Sequence, residues 1–349
     1  MTEPSSPLAD KPARMPTMKD VAELADVSVA TVSLVINNRK GARIGEDTRR
    51  RVLEAVAQLG YRPNALAQSL VSGQSRFIGM VADAIATLPF AGQILRGAQE
   101  EAWRNGYVLL VADTDDVPEL IADAIAMMND HQAVGVLYST WYHREVPPVA
   151  DLDRTPTVYV NCFSEEPTAY SIVPDEEQGG ALATRMLLEK GHRRVAFVNS
   201  TEDAPSTIGR ELGYRSALAD AGIDFDPTLL IPIYPDDVDG FQEAGYRAAS
   251  QLFDRADAPT AVFCYNDRVA MGLYEAIKER GMRIPEDVAI IGFDDQEVIS
   301  AHLRPGLTTI ALPHYEIGAR AVRALLNRLD GGDGGIEYVP CPPVIRHSL

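Results

Sequence analysis

The sequence predicts a small all-α helix-turn-helix domain followed by a two-lobed α/β body made of two doubly wound parallel sheets. Three observations carry this. Residues 17–62 hold three short amphipathic patterns separated by cap and turn residues. From Arg76 onward, short β-branched runs alternate with amphipathic stretches, as parallel strands joined by crossover helices do. That alternating region, residues 76–349, is long enough for two such sheets.

In the first region, Thr17 can cap a helix running through Asp26, with Val21, Leu24 and Ala25 inward. Ser28 can cap a second helix, Val29 to Asn37, which Asn37-Asn38 can end. Its apolar side is Val32, Val35 and Ile36, so Leu34 falls on the side that should meet water. Glu46 and Asp47 open a third helix to Leu59, with Val52, Leu53 and Val56 inward. Gly60 closes it and Pro63 follows.

In the body, the strand runs are "RFIGMVAD", "YVLLVAD", "AVGVLYS", "TVYVN", "RVAFVNS", "LLIPIY", "AVFCYND" and "VAIIGFDD". Helix patterns lie at 92–105, 178–190, 210–221, 242–253, 268–280 and 314–329. "GGDGG" at 331–335 is a loop before the last strand; without GxxxxGK[ST] it is not a phosphate loop.

Net charge is −18, which alone would argue against a nucleic-acid partner. The distribution reverses that. Residues 1–76 hold 11 Lys/Arg against 8 Asp/Glu, and the other 273 hold 21 against 42. A mildly basic module precedes an acidic body that would repel DNA and leave contact to the module. Residues 1–16, rich in Pro, Ser and charge, read as a disordered tail without the apolar core of a secretory signal. No apolar run is long enough for a bilayer span, so a cytoplasmic protein with no membrane partner is expected. Cys162, Cys264 and Cys341 are scattered and odd in number, which fits reduced thiols rather than a disulfide framework or zinc site.

Two short helices with a tight turn, the second carrying small and polar residues outward, fit a DNA-binding helix-turn-helix, although a plain structural bundle has the same spacing. The motifs narrow this. "MKDVAELADVSVATVSLVINN", "TRRRVLEAVAQLGYRPNALAQSL" and "IGMV" closely resemble the lactose-repressor (LacI) family of bacterial transcription regulators. So do "GHRRVAFV", "GRELGYRSAL", "AVFCYNDRVAMG", "IPEDVAIIGFDD" and "LTTI", in the family's order. The resemblance implies a body with the fold of periplasmic binding proteins, a homodimer on a roughly palindromic double-stranded DNA operator, and control by a small-molecule effector.

By the same resemblance the second helix lies in the major groove, with Val29, Ala30 and Leu34 at base-reading positions. Ser28, Thr31 and Ser33 carry short hydroxyls suited to phosphate oxygens. Arg49, Arg50 and Arg51 add charge to the third helix. Leu34 departs from the arginine usual there, which grips guanine; an apolar residue can instead meet a thymine methyl. Residues 63–75 correspond to the family's hinge, a helix too short to be stable alone in water. There Leu70 stands at the minor-groove wedge position, with Asn64 and Ala67 on the same side.

In open parallel sheets, ligands bind outside the carboxyl ends of the strands. Those ends carry Asp83, Asp113, Ser139, Asn161, Asn199, Asn266-Asp267 and Asp294-Asp295, some of which can equally serve as helix caps. With Arg210 and the aromatics Phe90, Tyr138, Trp141 and Phe293 they suit a polyhydroxyl, sugar-like ligand. The resemblance singles out Arg210, Asn266 and Asp294 as effector contacts and Phe90, Asp113 and Asn161 as wall residues. Ala91 and Leu312 depart from the family's usual aromatic and polar residues. His143, His192 and His302 are isolated and read as structural rather than metal-ligating.

Two other classes compete. An enzyme would need a nucleophile elbow, phosphate loop, dinucleotide fingerprint or metal constellation, and none appears, so no cofactor is expected. A sugar-binding transport protein would share the body's fold, but it would carry a signal peptide and no helix-turn-helix. The expectation is a DNA-binding transcriptional regulator, a repressor, controlled by a small polar effector bound between the two lobes.

Overall fold

The computed structural model describes residues 16–36, 44–61, 75–85, 91–149, 152, 155–165, 168–234, 240–329 and 331–349. The chain divides into two compact units, Met1–Ser75 and Arg76–Leu349. Asn64, Ala67, Leu70 and Phe90, and with them nearly all of the expected tail and hinge, lie outside the described residues.

The first unit holds α1 (Met18–Ala25), α2 (Val29–Ile36) and α3 (Glu46–Leu59). A capping box opens α1: the Thr17 hydroxyl accepts from the Asp20 amide at 3.4 Å, and the Asp20 carboxylate accepts from the Thr17 amide at 2.6 Å. Asp26 ends α1 in the left-handed conformation, φ 53°. At α2 the Ser28 hydroxyl accepts from the Thr31 amide at 3.1 Å. Val21, Ala25, Val32, Val35, Val52 and Tyr61 form the shared core.

Two residues expected inward face solvent instead: Leu24 is 46% exposed and Leu53 is 51% exposed. The cause is the phase of each stripe. On α3 the buried side is centred on Val52, with Ala55, Val56 and Leu59 beside it, which turns Leu53 about 100° away. On α1 the small Ala22 takes the inward place instead of Leu24. The arginine run is engaged with the protein: Arg51 donates to the Ala25 carbonyl at 3.1 Å, tying α3 to the end of α1, and Arg50 pairs with Asp47 and Glu54.

The second unit has two six-stranded sheets. One contains β1 (Phe77–Ala82), β2 (Val108–Asp113), β3 (Val136–Glu145), β4 (Thr157–Phe163), β5 (Tyr170–Pro174) and β11 (Gly335–Val339). Their order is β11-β5-β4-β3-β1-β2, all parallel. The other contains β6 (Val195–Ser200), β7 (Leu230–Ile233), β8 (Ala261–Cys264), β9 (Ala289–Asp294), β10 (Thr308–Ala311) and β12 (Pro343–Val344). Their order is β12-β10-β9-β8-β6-β7, with only β12 antiparallel. Helices α4 (Gly92–Arg104) and α5 (Pro118–Asp130) belong to the first lobe. Helices α6 (Glu176–Glu189), α7 (Pro205–Asp220), α8 (Gly240–Phe253), α9 (Asp267–Glu279), α10 (Glu297–Ser300) and α11 (His314–Asn327) follow.

The chain passes between the sheets three times: through α6, through α11, and directly from β11 to β12. Neither sheet is therefore a contiguous stretch. The strand β5 and the helix α5 were not among the sequence patterns. Helix α7 starts at Pro205, one and a half turns before the expected 210–221.

One packing feature fixes the later site. Helices α6 and α7 touch through glycine: a Cβ on Gly180 would stand 2.4 Å from the Arg210 carbonyl oxygen, and one on Gly213 would stand 2.1 Å from that of Glu177. Backbone contact this close sets Glu176 of α6 against Arg210 of α7. Gly213→Ala is expected to force the helices apart and cost about 1–3 kcal/mol, read as a lowered denaturant midpoint at unchanged slope. An unchanged midpoint would contradict this close approach.

Candidate functional site

A cavity of about 330 Å³ opens where strand ends of both sheets face each other. The first sheet brings Trp141 and His143 on β3 and Asn161 on β4; the second brings Tyr265 and Asn266 after β8 and Asp294 at the end of β9. Helices add Glu176, Ser206, Arg210 and Phe241.

Arg210 lies at its centre, its side chain 4% exposed. Its Nε donates to Glu176 Oε2 at 2.8 Å, one Nη donates to the Tyr265 carbonyl, and the other reaches Asp294 Oδ1 at 3.5 Å. Its guanidinium carbon sits 3.7 Å from the centroid of the Phe293 ring and 4.7 Å from that of Tyr265. The other Glu176 oxygen lies 3.7 Å from His143 Nδ1. One carboxylate thus meets a histidine of the first sheet and an arginine of the second lobe. Burial alone would raise the Glu176 carboxyl; the Arg210 charge, then His143, outweigh it and hold the group at about 2.

Asp294 is tuned the other way. Burial pushes its carboxyl up to about 6, against the pull of Arg210 and a 3.0 Å hydrogen bond from Gln296 Nε2. Below it, burial raises Asp267 well above the usual carboxylate range. Asp267 accepts from Thr309 Oγ1 and the Gln296 amide, both at 2.7 Å, which fixes the turn after β9.

Two asparagines of the lining carry unused hydrogen-bonding capacity. Asn161 is 1% exposed, and while its Nδ2 donates to the Thr140 carbonyl, its Oδ1 has no hydrogen-bond partner among the described residues. Such an orphan acceptor is costly unless something fills it. Asn266 caps α9, accepting from the Val269 amide at 2.9 Å, so its Nδ2 remains for a ligand. Asn161 and Asp294 hold left-handed backbone, φ 59° and φ 100°, which non-glycine residues adopt uncommonly and often at functional sites. Phe241 stacks on Tyr265 at 5.6 Å between centroids, giving an aromatic wall.

Of the residues singled out from sequence, the fold gathers Asn161, Arg210, Asn266 and Asp294. Asp113 is instead exposed at the end of the edge strand β2, away from the lining, because the sheet order sets β2 at the far side from β4. Tyr138 is core of the first sheet, and Phe293 lies under Arg210. His143, read as merely structural, lines the cavity because β3 continues to Glu145, past the expected run. Glu176 was missed. A signal existed: the helix face it shares carries Gly179, Gly180 and Ala183, so a carboxylate among them is inward.

In the first unit, Ser28, Val29 and Ala30 are exposed on the first turn of α2, and Thr31, Ser33 and Leu34 are half-buried. Val29 is 46% exposed. Leu34 is not among the residues packed on the three-helix core.

A helix-turn-helix joined in one chain to a two-lobed body with a polar interlobe cleft defines a ligand-controlled transcription regulator. Residues 17–64 match the model of bacterial regulatory proteins of the lacI family, and residues 184–349 that of the periplasmic binding protein-like domain. The chain is 36% identical over 327 residues to the HTH-type transcriptional repressor PurR of Vibrio atlanticus, covering 91% of this chain and 93% of the relative. It is 32% identical over 338 residues to the ribose operon repressor of Haemophilus influenzae, covering 96% and 99%. The lac repressor dimer bound to operator and the anti-inducer ONPF matches with a TM-score of 0.78 at 26% identity, over 96% of this chain and 99% of that one. The transcriptional regulator CelR in complex with cellobiose matches with a TM-score of 0.63 at 27% identity, over 95% and 99%. The chain belongs to the lacI family of bacterial regulatory proteins. It is a DNA-binding repressor with an effector-binding domain, not an enzyme.

Two variants separate the roles of the charged residues. Arg210→Ala leaves the buried Glu176 carboxylate without its main partner, so a loss of about 3–5 kcal/mol is expected, visible in chemical denaturation. Asp294→Asn behaves oppositely. In the folded chain this carboxyl titrates near 6, and its ordinary value is 3.8, so its contribution to stability falls as pH rises through that interval. The melting temperature of Asp294→Asn relative to the parent should therefore rise between about pH 4 and pH 8. A pH-independent difference would show that Asp294 is not held in its acid-favouring state.

Proposed function

We propose that this repressor binds a roughly palindromic operator as a cytoplasmic homodimer and is controlled by a sugar-like, polyhydroxylated effector held in the interlobe cleft. The observation that carries the effector class is the convergence of unused polar capacity on an aromatic wall. Asn161, with its unpartnered Oδ1, Asn266, with its uncommitted Nδ2, and Asp294 line a cavity that Trp141 and Phe241 also line. Hydroxyls donate and accept at once, and the apolar face of a sugar ring packs on an aromatic. The ribose operon repressor and the cellobiose complex among the similar proteins support the same class.

Control follows from the topology. A ligand touching Asn161 of one sheet and Arg210 and Asp294 of the other lobe favours one arrangement of lobes between which the chain passes at three crossovers. Operator affinity changes by as much as the ligand's affinity differs between the two states. The dimer, which the lac repressor structure supports by likeness, supplies two half-sites. Residues 17–62 carry the major-groove contacts, through Val29, Ala30 and Leu34 to bases and Ser28, Thr31 and Ser33 to phosphates. Residues 63–75 form the hinge, where Leu70 acts as the minor-groove wedge beside Asn64 and Ala67. The body of residues 76–349 carries the effector and dimer surfaces. Phe90, outside the described residues, is kept as a wall residue of the effector site; Asp113, exposed on the edge strand β2, is not.

The test is a thermal-shift screen of sugars, nucleosides and nucleobases, followed by operator titration with each ligand that binds. A sugar that both stabilises the chain and changes operator affinity is expected; a nucleobase as the only active ligand would overturn the effector class. At the DNA, replacing the contacted thymine by uracil removes one methyl and should weaken binding. Leu34→Arg should move preference toward guanine at that position by about 1–3 kcal/mol. If Leu34→Ala leaves sequence preference unchanged but lowers the melting temperature, Leu34 is a packing residue.

A further inference from the structure

We infer that Glu176 is a specificity-determining residue of the cleft: by neutralising Arg210 it makes the site take an uncharged polyol and refuse the phosphorylated or carboxylated form of the same compound. This rests on the sugar-like effector proposed for the cleft and adds the charge state of the ligand.

An anionic effector needs a cation that the protein has left uncommitted. Arg210 is not one. Its Nε is held by Glu176 at 2.8 Å, its Nη atoms by the Tyr265 carbonyl and Asp294, and its faces are covered by Phe293 and Tyr265. Geometry alone did not require a carboxylate at 176: a glutamine amide oxygen can accept from Nε equally well. What glutamate adds is a second full negative charge on a guanidinium that Asp294 already balances when ionised, so the cluster presents a net negative charge to the cavity and an anion meets repulsion.

The rest of the lining agrees. Among the described lining residues, Glu176, Glu202, Asp203 and Asp294 are carboxylates, against the guanidiniums of Arg210 and Arg268. Arg268 makes a 3.4 Å bond to Gln296 and its charge acts on Asp294, while Glu202 and Asp203, both exposed, add two further negative charges to the lining. Donor and acceptor character points the same way. The orphan Oδ1 of Asn161 and the Asp294 oxygens are acceptors, and they want hydrogens. Hydroxyls bring them; phosphate dianion and carboxylate oxygens bring none and would set lone pair against lone pair.

The full-length protein is titrated calorimetrically at about pH 7.5, where Asp294 is ionised. The probes are inorganic phosphate and the matched pairs ribose and ribose 5-phosphate, and glucose and glucose 6-phosphate, with chloride fixing ionic strength. The parent should bind inorganic phosphate no better than chloride, and any pair it binds should favour the neutral member by at least about tenfold. Glu176→Gln should gain phosphate binding of at least about tenfold and narrow or reverse the preference within a pair. Glu176→Asp, which keeps the charge, should not gain it. Phosphate binding by the parent, a phosphorylated member preferred by the parent, or a folded Glu176→Gln that gains nothing would overturn the inference. If Glu176→Gln fails to fold, the parent's phosphate titration decides. Failure of the sugar-like reading is distinct, because it shows as neither neutral member binding while phosphate is still refused.

Discussion

The ion pair between Glu176 and Arg210 is the constraint around which the body is arranged. It is buried, so neither partner can be left alone: an uncompensated charge in that environment costs far more than a mismatched apolar contact. Glycine at 180 and 213 lets α6 and α7 approach closely enough to bring the two together. Glu176 begins the first crossover between the sheets, and His143 approaches it from the other lobe. The helix that links the lobes is thereby tied to the residue in the middle of the cleft. Asp294 then shares the Arg210 guanidinium, with burial holding its carboxyl at about 6 while Glu176 stays at about 2. Two carboxylates on one cation are thus pushed apart, one committed to structure and one left within reach of a ligand.

Much of this was legible in the sequence because it depends on local pattern. The strand runs ending in Asn or Asp placed Asn161, Asn266 and Asp294 at carboxyl ends, and the parallel-sheet rule brings such ends together. The caps at Thr17 and Ser28 and the stop at Gly60 are local chemistry and sit where the pattern put them. What could not be read is what depends on distance along the chain. The three passes between the sheets pair β5 with β11, which lies more than a hundred residues later, and no periodicity announces that. Glu176 follows β5, a short run that ends in proline, and the helix pattern begins only at 178, so the residue fell in the connection before it. Asp113 shared the sequence signature of the cleft residues, yet it ends an edge strand. A carboxyl-end aspartate marks a cleft only where the sheet order places that strand opposite the other lobe.

The DNA-reading unit follows a different logic. Its core is small, and Leu24 and Leu53 remain outside it because the phase of each helix is set by alanine and valine contacts rather than by the largest side chain available. Helix α2 sets Val29, Ala30 and Leu34 among the hydroxyls of Thr31 and Ser33 outside its buried Val32 and Val35, and apolar residues there have little reason to face water alone. Leu34, half-buried, is not among the described residues packed on the core, and with exposed Val29 and Ala30 it leaves the helix poor in groups for bidentate base contacts. In the reading proposed above, specificity leans on shape, methyl contacts and a second copy rather than on a single strong hydrogen-bonded pair.

Glu176 and Arg210 act as one unit, and a double-mutant cycle measures that directly. Glu176→Gln, Arg210→Gln and the double variant are compared with the parent by urea denaturation at neutral pH. A buried pair should couple near the upper end of the range of about 0.5–3 kcal/mol seen for contacting groups, with the double variant more stable than Arg210→Gln alone. Additive effects, with the double variant no more stable than Arg210→Gln, would contradict it.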